Sequence, residues 1–334
     1  MVSSVYRSDR LVTVFGGSGF LGRHVVRALV QQGWRIRVAT RRPDLAGHLQ
    51  PLGKVGQIHA VQANVRYPAS LVAAARGSQA IVNLVGILQQ AGRQRFDAVQ
   101  AFGARAVART AAELGVQSLV HVSAIGADLH SDSLYARSKA EGEAGVLDAY
   151  PGATILRPSL LFGPEDDFFN RFAAMARVMP VLPLIGGGAT KFQPVFAGDV
   201  GKVVAKALEG GTLPGTVYEL GGPEVKTFRE LLTYICEVTG RKRFLAPIPF
   251  AAADVIGSAT EIASSLSLGL FPSMLTITRD QVKLLQHDNV VSADALAQGR
   301  TLEGLGIVPE AIESIVPTYL YRFRKTGQYQ RLTA

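Results

Sequence analysis

The sequence predicts an α/β fold, a parallel sheet wound with helices on both faces, followed by a smaller C-terminal α/β lobe. Three observations carry that expectation. Short β-rich runs alternate with helix-forming stretches through the first half of the 334 residues, as parallel strands joined by crossover helices require. The first run leads into glycines spaced three apart, Gly16, Gly19 and Gly22, and then into a helical pattern. Beyond Arg157-Pro158 the alternation loosens and Pro and Gly become frequent, at Pro164, Pro180, Pro183, Gly186 to Gly188 and Pro194.

Leu11 to Phe15 reads as the first strand, Gly16 to Gly22 as a turn and helix start, and Arg23 to Gln32 as the first helix, closed by Gly33. The later strands are Arg35 to Thr40, Ile58 to Ala63, Ala80 to Val85, Ser118 to Ser123 and Thr154 to Leu156. Ala69 to Ala75, Phe96 to Leu114 and Tyr135 to Tyr150 carry helix formers. Phe102, Val107, Ala111 and Leu114 approximate one helical face, which reads as core. Asp199 to Leu208, Val217 to Leu220 and Phe228 to Thr239 follow as helix, strand and helix. The boundaries expected are 1–160 for a first domain, its sheet completed by parts of 190–222, and 161–334 for the second lobe.

A glycine turn between a strand and a helix offers backbone N–H groups and the positive end of the helix dipole to a diphosphate. A side chain at Gly16 or Gly19 would obstruct that approach, and Gly22 lets the helix lie close on the strand. Together with the second strand this predicts a dinucleotide-binding, Rossmann-type sheet. Arg41 and Arg42 stand after that strand, where an acidic residue would bond a ribose 2′-hydroxyl. Arginines there favour a 2′-phosphate, hence NADP(H). Tyr135 and Lys139, four apart at the start of a helical segment, fall on one face. A lysine cation beside a phenol lowers its pKa from about 10 toward the range of an acid/base catalyst, and the lysine also suits a nicotinamide ribose.

Composition narrows the alternatives. Hydrophobic residues make up 48% and charged residues 18%, as in a well-buried globular protein. The single cysteine, Cys236, lies in an apolar-periodic segment, which fits a reducing compartment and a buried thiol. The start MVSSVYRSDR lacks the apolar region of a secretory signal, and no uncharged run of about 20 apolar residues is long enough to span a bilayer. Net charge is +9, yet the basic residues are dispersed without aromatic interleaving, which argues against nucleic acid. Glu165, Asp166 and Asp167 lack a ligand-spaced partner and the six histidines show no ligand spacing, so no metal site is expected. Asp199 heads a helix and reads as a cap, and His121 falls in the buried fifth strand. The stretch from Phe250 to Leu275, apolar with only Asp254 and Glu261 charged, reads either as a helical lid or as an amphipathic patch on a membrane or partner subunit. Arg241 to Arg243 and Arg279 flank it and could meet lipid phosphates.

With these residues in hand the chain resembles an extended or atypical short-chain dehydrogenase/reductase. The matching features are Gly16-x-x-Gly19-x-x-Gly22, Asn64-Val65, Val85-Gly86, Ser123, Tyr135-x-x-x-Lys139, Arg157-Pro158-Ser159 and Phe162-Gly163-Pro164. More narrowly it is similar to the family of NADPH-binding accessory subunits of respiratory complex I and their bacterial relatives, through YARSKAEG at 135–142, FGPEDDF at 162–168, Gln193-Pro194-Val195 with Asp199-Val200, and ITRDQV at 277–282. The resemblance implies cofactor contacts from Gly16, Ser18, Gly19, Phe20, Leu21, Gly22, Arg41, Arg42, Asn64, Val65, Val85, Gly86, Ser123, Tyr135, Lys139 and Pro158. It implies a catalytic set of Tyr135, Lys139 and Ser123, with Ala124 in the third position if the register slips by one. Asn64 departs from the aspartate usual in the family.

Two functions are expected from this reading. The leading one is an NADP(H)-binding accessory or assembly subunit of an NADH:quinone oxidoreductase, its cofactor mainly structural. Its partners would be other subunits of the respiratory membrane complex, with peripheral lipid contact, on the cytoplasmic side of the inner membrane or the matrix side in a mitochondrion. The alternative is an active NADP-dependent reductase or epimerase/dehydratase using Tyr135 and Lys139, in quinone-related metabolism.

Overall fold

A computed structural model describes residues 10–266, 277–325 and 327–329, with side chains for all but 262–266 and 328. Two compact units emerge: 1–158, 197–220 and 292–308 form the first, and 159–196, 221–291 and 309–334 the second.

The first unit runs β1 (Leu11–Phe15), α1 (Phe20–Gln31), β2 (Arg35–Thr40), β3 (Ile58–Gln62), α2 (Pro68–Ala75), β4 (Ala80–Asn83), α3 (Phe102–Glu113), β5 (Ser118–Val122), α4 (Leu134–Ala149) and β6 (Thr154–Pro158). A helix, Ala197–Leu208, and a seventh strand, Val217–Leu220, complete it. All seven strands are parallel, in the order seventh, β6, β5, β4, β1, β2, β3. Val12 pairs with Ile36 on one side and Ala80 on the other, so winding reverses between β1 and β4. A doubly wound sheet binds its ligand at that crevice. The strands are apolar because helices cover both faces. Phe15, Ile81, Leu119 and Ile155 are all essentially inaccessible, each side chain contributing about 1.5–3 kcal/mol. Buried Thr13 is satisfied by the Ala74 carbonyl at 3.1 Å and the Ser78 hydroxyl at 2.7 Å.

Several expectations are corrected. Residues 292–308 pack with the first unit rather than with the C-terminal lobe. The seventh strand is an edge whose backbone needs partners, and Glu219 N–H donates to the Arg300 carbonyl at 3.0 Å while the Arg300 guanidinium donates to the Val217 carbonyl at 2.7 Å. The fourth strand ends at Asn83, not Val85, because the Asn83 side chain takes the Val85 N–H at 3.1 Å and curls the chain out of the sheet. The third and fifth strands end one residue early, at Gln62 and Val122, and the sixth runs on to Pro158. The helix expected from Phe96 begins with a π-helical turn, Asp97–Ala101. Phe102, expected in the core, is 50% exposed, whereas Val107 and Ala111 are fully buried.

The second unit holds a parallel pair, Val181–Ile185 with Phe244–Ile248, and helices Phe168–Val178, Phe228–Val238 and Phe250–Leu266. Phe162, Phe168, Phe169, Phe172 and Phe228 stack edge-on at centroid separations of 5.0–6.1 Å. Thr227 and Glu230 form a reciprocal capping box that starts helix Phe228–Val238. Buried Asp166 accepts the N–H groups of Gly163, Phe169 and Asn170 and the Tyr319 hydroxyl, so it organises the loop before helix Phe168–Val178 and ties down the C-terminal segment. Cys236 is buried, and burial raises its thiol pKa. The apolar stretch 250–275 is helical through Leu266, and residues 267–276 lie outside the described residues.

Candidate functional site

Every residue singled out as a cofactor or catalytic contact belongs to the first unit and stands in or just beyond the C-terminal ends of its strands, or on α1 and α4. Gly16 has φ +78, and a Cβ there would lie 3.2 Å from the Leu84–Val85 backbone, so only glycine fits. Its N–H closes onto the Ala39 carbonyl at 3.1 Å. Gly19 is the N-cap of α1 and has no capping side chain, leaving the first-turn N–H groups of Phe20, Leu21 and Gly22 pointing off the helix end. A Cβ on Gly22 would meet the Gly17 carbonyl oxygen at 2.3 Å, so Gly22 seats α1 against its own turn rather than against the strand. Ser18 donates to the Thr40 hydroxyl at 3.2 Å and ties the turn to β2. The result is a compact anion cradle at the switch between β1 and β4, and it fits a dinucleotide diphosphate.

The flanking loops are arranged differently from one another. Arg41 and Arg42 are both exposed just past β2. Arg42 is bidentate on Asp44, at 3.1 and 2.8 Å, which raises its pKa and commits its charge to a neighbour. Asn64 Oδ1 accepts the Arg66 N–H at 3.1 Å, and Val65 is buried beneath this turn. Val85 and Gly86 follow β4, and a Cβ on Gly86 would lie 3.3 Å from Lys139 Nζ. Pro158 ends β6 and accepts the Ile125 N–H at 3.1 Å.

The chemistry-bearing groups converge on α4. Its N-cap Ser133 accepts the Ala136 N–H at 3.2 Å. Tyr135 then packs edge-on against Phe96, centroids 5.8 Å apart, with Lys139 Nζ 5.8 Å from the phenol ring. Lys139 is 6% exposed and reaches the Val122 carbonyl at 3.4 Å. Burial lowers its pKa to about 8, against the opposing pull of Glu143. Ser123 is one residue past β5, 3% exposed, and its Oγ has no hydrogen-bond partner among the described residues. A buried hydroxyl without a partner costs about 1–3 kcal/mol, the kind of debt that a bound polar group repays. Ala124, the other register, offers no polar atom.

Sequence reasoning missed the layer behind these groups. Glu143, one turn beyond Lys139, holds Arg157 bidentately at 2.9 and 2.6 Å, and Arg157 lies 3.7 Å from Glu219 on the seventh strand. Tyr135, Lys139 and Glu143 recur every four residues, a spacing that could have flagged the third. His121 is fully buried on β5 and accepts the Asn83 amide at Nδ1, 3.1 Å, an orientation fixed by Asn83 Oδ1 bonding Val85. Burial, then the Lys139 charge, drops the His121 pKa to about 3, so the imidazole is neutral with its proton on Nε2. Gln100, in the π-helical turn, donates to the Ile87 carbonyl and accepts from Ser138, both at 2.6 Å, and so pins α4 to the loop after β4. Among the described residues, no group of three or more His, Cys, Asp or Glu is placed to hold a metal ion. Arg279, which the sequence reading let meet lipid phosphates, is bidentate on Asp254 at 3.1 and 3.0 Å.

Residues 12–221 match the model of the NAD dependent epimerase/dehydratase family. The chain is 32% identical over 323 residues, 96% of its length and 79% of the relative's, to the mitochondrial NADH dehydrogenase [ubiquinone] 1 alpha subcomplex subunit 9 of Arabidopsis thaliana. It is 35% identical over 296 residues to the ceramide reductase of Caulobacter vibrioides, covering 86% of this chain and 88% of that protein. The solved NADPH-dependent quinone oxidoreductase QOR2 of Escherichia coli, complexed with NADPH, shares the fold with a TM-score of 0.69 at 19% identity, over 93% of this chain and 99% of that one. The chain belongs to the NAD dependent epimerase/dehydratase family, the extended branch of the short-chain dehydrogenases/reductases.

Proposed function

We propose that this chain is an NADP(H)-binding accessory subunit of an NADH:quinone oxidoreductase of the complex I type, its nucleotide held mainly as a structural part. The observation that carries the reading is the likeness to subunit 9 of the NADH dehydrogenase alpha subcomplex across 96% of the chain. In this reading the first-turn N–H groups of α1, with Gly16, Ser18, Gly19, Phe20, Leu21 and Gly22, take the diphosphate. Arg41 takes the 2′-phosphate, with Arg42 shared between it and Asp44. Asn64 and Val65 border the adenine, Val85, Gly86 and Pro158 border the nicotinamide half, and Lys139 holds the nicotinamide ribose. The chain would sit peripherally on the inner membrane, on the cytoplasmic or matrix side, against other subunits and lipid. No helix among the described residues is long and apolar enough to cross a membrane.

A second reading is favoured by one observation, the buried and unpartnered Ser123 Oγ beside an intact Tyr135–Lys139 pair. That set suits an active reductase or epimerase/dehydratase. Ser123 would donate to a substrate oxygen, Tyr135 would exchange the proton, and charged Lys139 would stabilise the phenolate. NADP(H), when bound, supplies the hydride chemistry. The deciding experiment isolates the native protein from gently solubilised membranes and identifies the nucleotide released on denaturation. Stoichiometric NADPH that resists reoxidation, within a large respiratory complex, supports the accessory reading. A free protein with exchanging cofactor, and turnover lost in Tyr135→Phe, overturns it.

A further inference from the structure

The second unit contains a cavity of about 280 Å3 to which the nucleotide reading gives no role. Its lining is apolar throughout, including Met175 and Met179 at the end of helix Phe168–Val178, Val181 and Ile248 from the parallel strand pair, and Ala253 and Ile256 from helix Phe250–Leu266. The solvent side of that last helix is apolar too: Ala251, Ala252, Val255, Ile256 and Ala259 are exposed and recur at helical spacing, with Val255 68% and Ile256 41% exposed. Across the strand pair, Phe244 is 67% exposed opposite Val181, and Val178 is 73% exposed beside Met179. An apolar cavity with an apolar rim is not a surface that water stabilises.

Cations gather just before strand Phe244–Ile248, whose Ala246 and Ile248 line the cavity. Arg243 precedes Phe244 and donates from Nε to the Ala176 carbonyl at 2.7 Å, between the two lining methionines in sequence. Arg177 occupies the same helical turn. Arg241 donates one N–H to the Phe323 carbonyl at 3.0 Å, and after burial it is the charges of Arg243 and Arg177 that depress its pKa, so the three guanidiniums share one field. Lys242 is exposed between two of them, and exposed Glu237 is the carboxylate nearest in sequence to Arg241. The arginine bonds to carbonyls use only one or two of five donors each. Arg241 with the two guanidiniums that repel it, next to the strand and helix that line an apolar cavity, is complementary to a molecule with an anionic head and an apolar chain.

We propose that the second unit binds one anionic phospholipid, an acyl chain in the cavity and the phosphate on Arg177, Arg241 and Arg243. The proposal deepens the peripheral-membrane part of the reading above and needs no bound nucleotide. It is tested on the full chain by native mass spectrometry with lysophosphatidylglycerol and lysophosphatidylcholine, and by flotation with phosphatidylcholine vesicles with and without phosphatidylglycerol. One lyso-lipid per chain, preference for the glycerol head group, and flotation that depends on phosphatidylglycerol are expected. Arg241→Gln and Arg243→Gln should each weaken vesicle binding about fivefold. Ile256→Asp, at a part-exposed position, should abolish lyso-lipid binding, and Ile256→Gln serves if the aspartate variant fails to fold. Absent binding, equal binding to both head groups, or binding unmoved at Ile256 overturns the proposal. So does a concentration-dependent dimer that Ile256→Asp dissolves without any lipid bound. Nucleotide content measured in parallel separates failure here from failure of the cofactor reading.

Discussion

Lys139→Met should make the first unit more stable at neutral pH while weakening nucleotide binding. The lysine is 6% exposed and its pKa falls from 10.5 to about 8 through burial. At about 1.4 kcal/mol per pKa unit, keeping that ammonium charged costs the fold about 3 kcal/mol at pH 7. What the charge gains in return is the attraction of Glu143, outweighed by burial, and a hydrogen bond to Val122 at a length of 3.4 Å that makes it weak. Because the folded value lies below the unfolded one, the folded chain gives up the proton first. The penalty is complete below about pH 8 and fades as pH rises toward 10.5, so the advantage of the methionine variant should shrink to less than about 1 kcal/mol at pH 10. Trp34, the one tryptophan, is buried in the first unit and reports its unfolding. Urea titrations of both proteins followed by its fluorescence, at pH 7 and pH 10, measure the difference directly. A variant less stable than the parent at pH 7, or a gap unchanged at pH 10, would refute the claim that Lys139 is held charged at a cost to the fold. NADPH titration of the same samples should show affinity lost in the variant, and lost in the parent as pH rises through 8.

Three further substitutions probe neighbouring features. Gly22→Ala forces a methyl to within 2.3 Å of the Gly17 carbonyl oxygen, so about 3 kcal/mol of first-unit stability and the retained nucleotide should be lost, and an unchanged urea midpoint would contradict the close seating of α1. Arg157→Met strands the buried Glu143 carboxylate and should cost about 3–5 kcal/mol, much of it recovered by adding Glu143→Gln; simple additivity in that cycle would mean the pair is not coupled. Ser123→Ala removes a buried hydroxyl that bonds nothing among the described residues, so stability should rise by about 1 kcal/mol while any turnover falls at least 100-fold; a clear loss of stability would show that the hydroxyl has an internal partner.

Local patterns were legible because a local cause fixes them. The glycine turn, the alternation of strands and helices and the Tyr135–Lys139 spacing each depend on residues within one or two turns of each other. The unread parts depend on distant partners. Nothing near Arg300 announces that it will close the edge of a strand eighty residues earlier; Arg42 is the local exception, its charge taken by Asp44 two residues on. Arg279 again pairs at long range: Asp254, its partner, is twenty-five residues away. Phe102 stands five residues before Val107, about 140° round the same helix, and so its ring faces outward. The acidic trio at 165–167 was legible only as lacking a metal-ligand partner, and the fold reveals that Asp166 is a buried hub for four donors.

The discontinuity of the first unit bears on how the chain is made. When the ribosome has finished β6 at Pro158, that strand is still an open edge, and its parallel neighbour Val217–Leu220 has not been synthesised. At ordinary elongation rates the gap lasts on the order of several seconds, and the closing segment around Arg300 emerges later still. Through that interval Ile155 and Leu156, fully buried in the finished sheet, sit in an unpaired edge strand, the arrangement most prone to capture by another nascent chain. A chaperone demand concentrated between those two points of translation follows from the strand order alone.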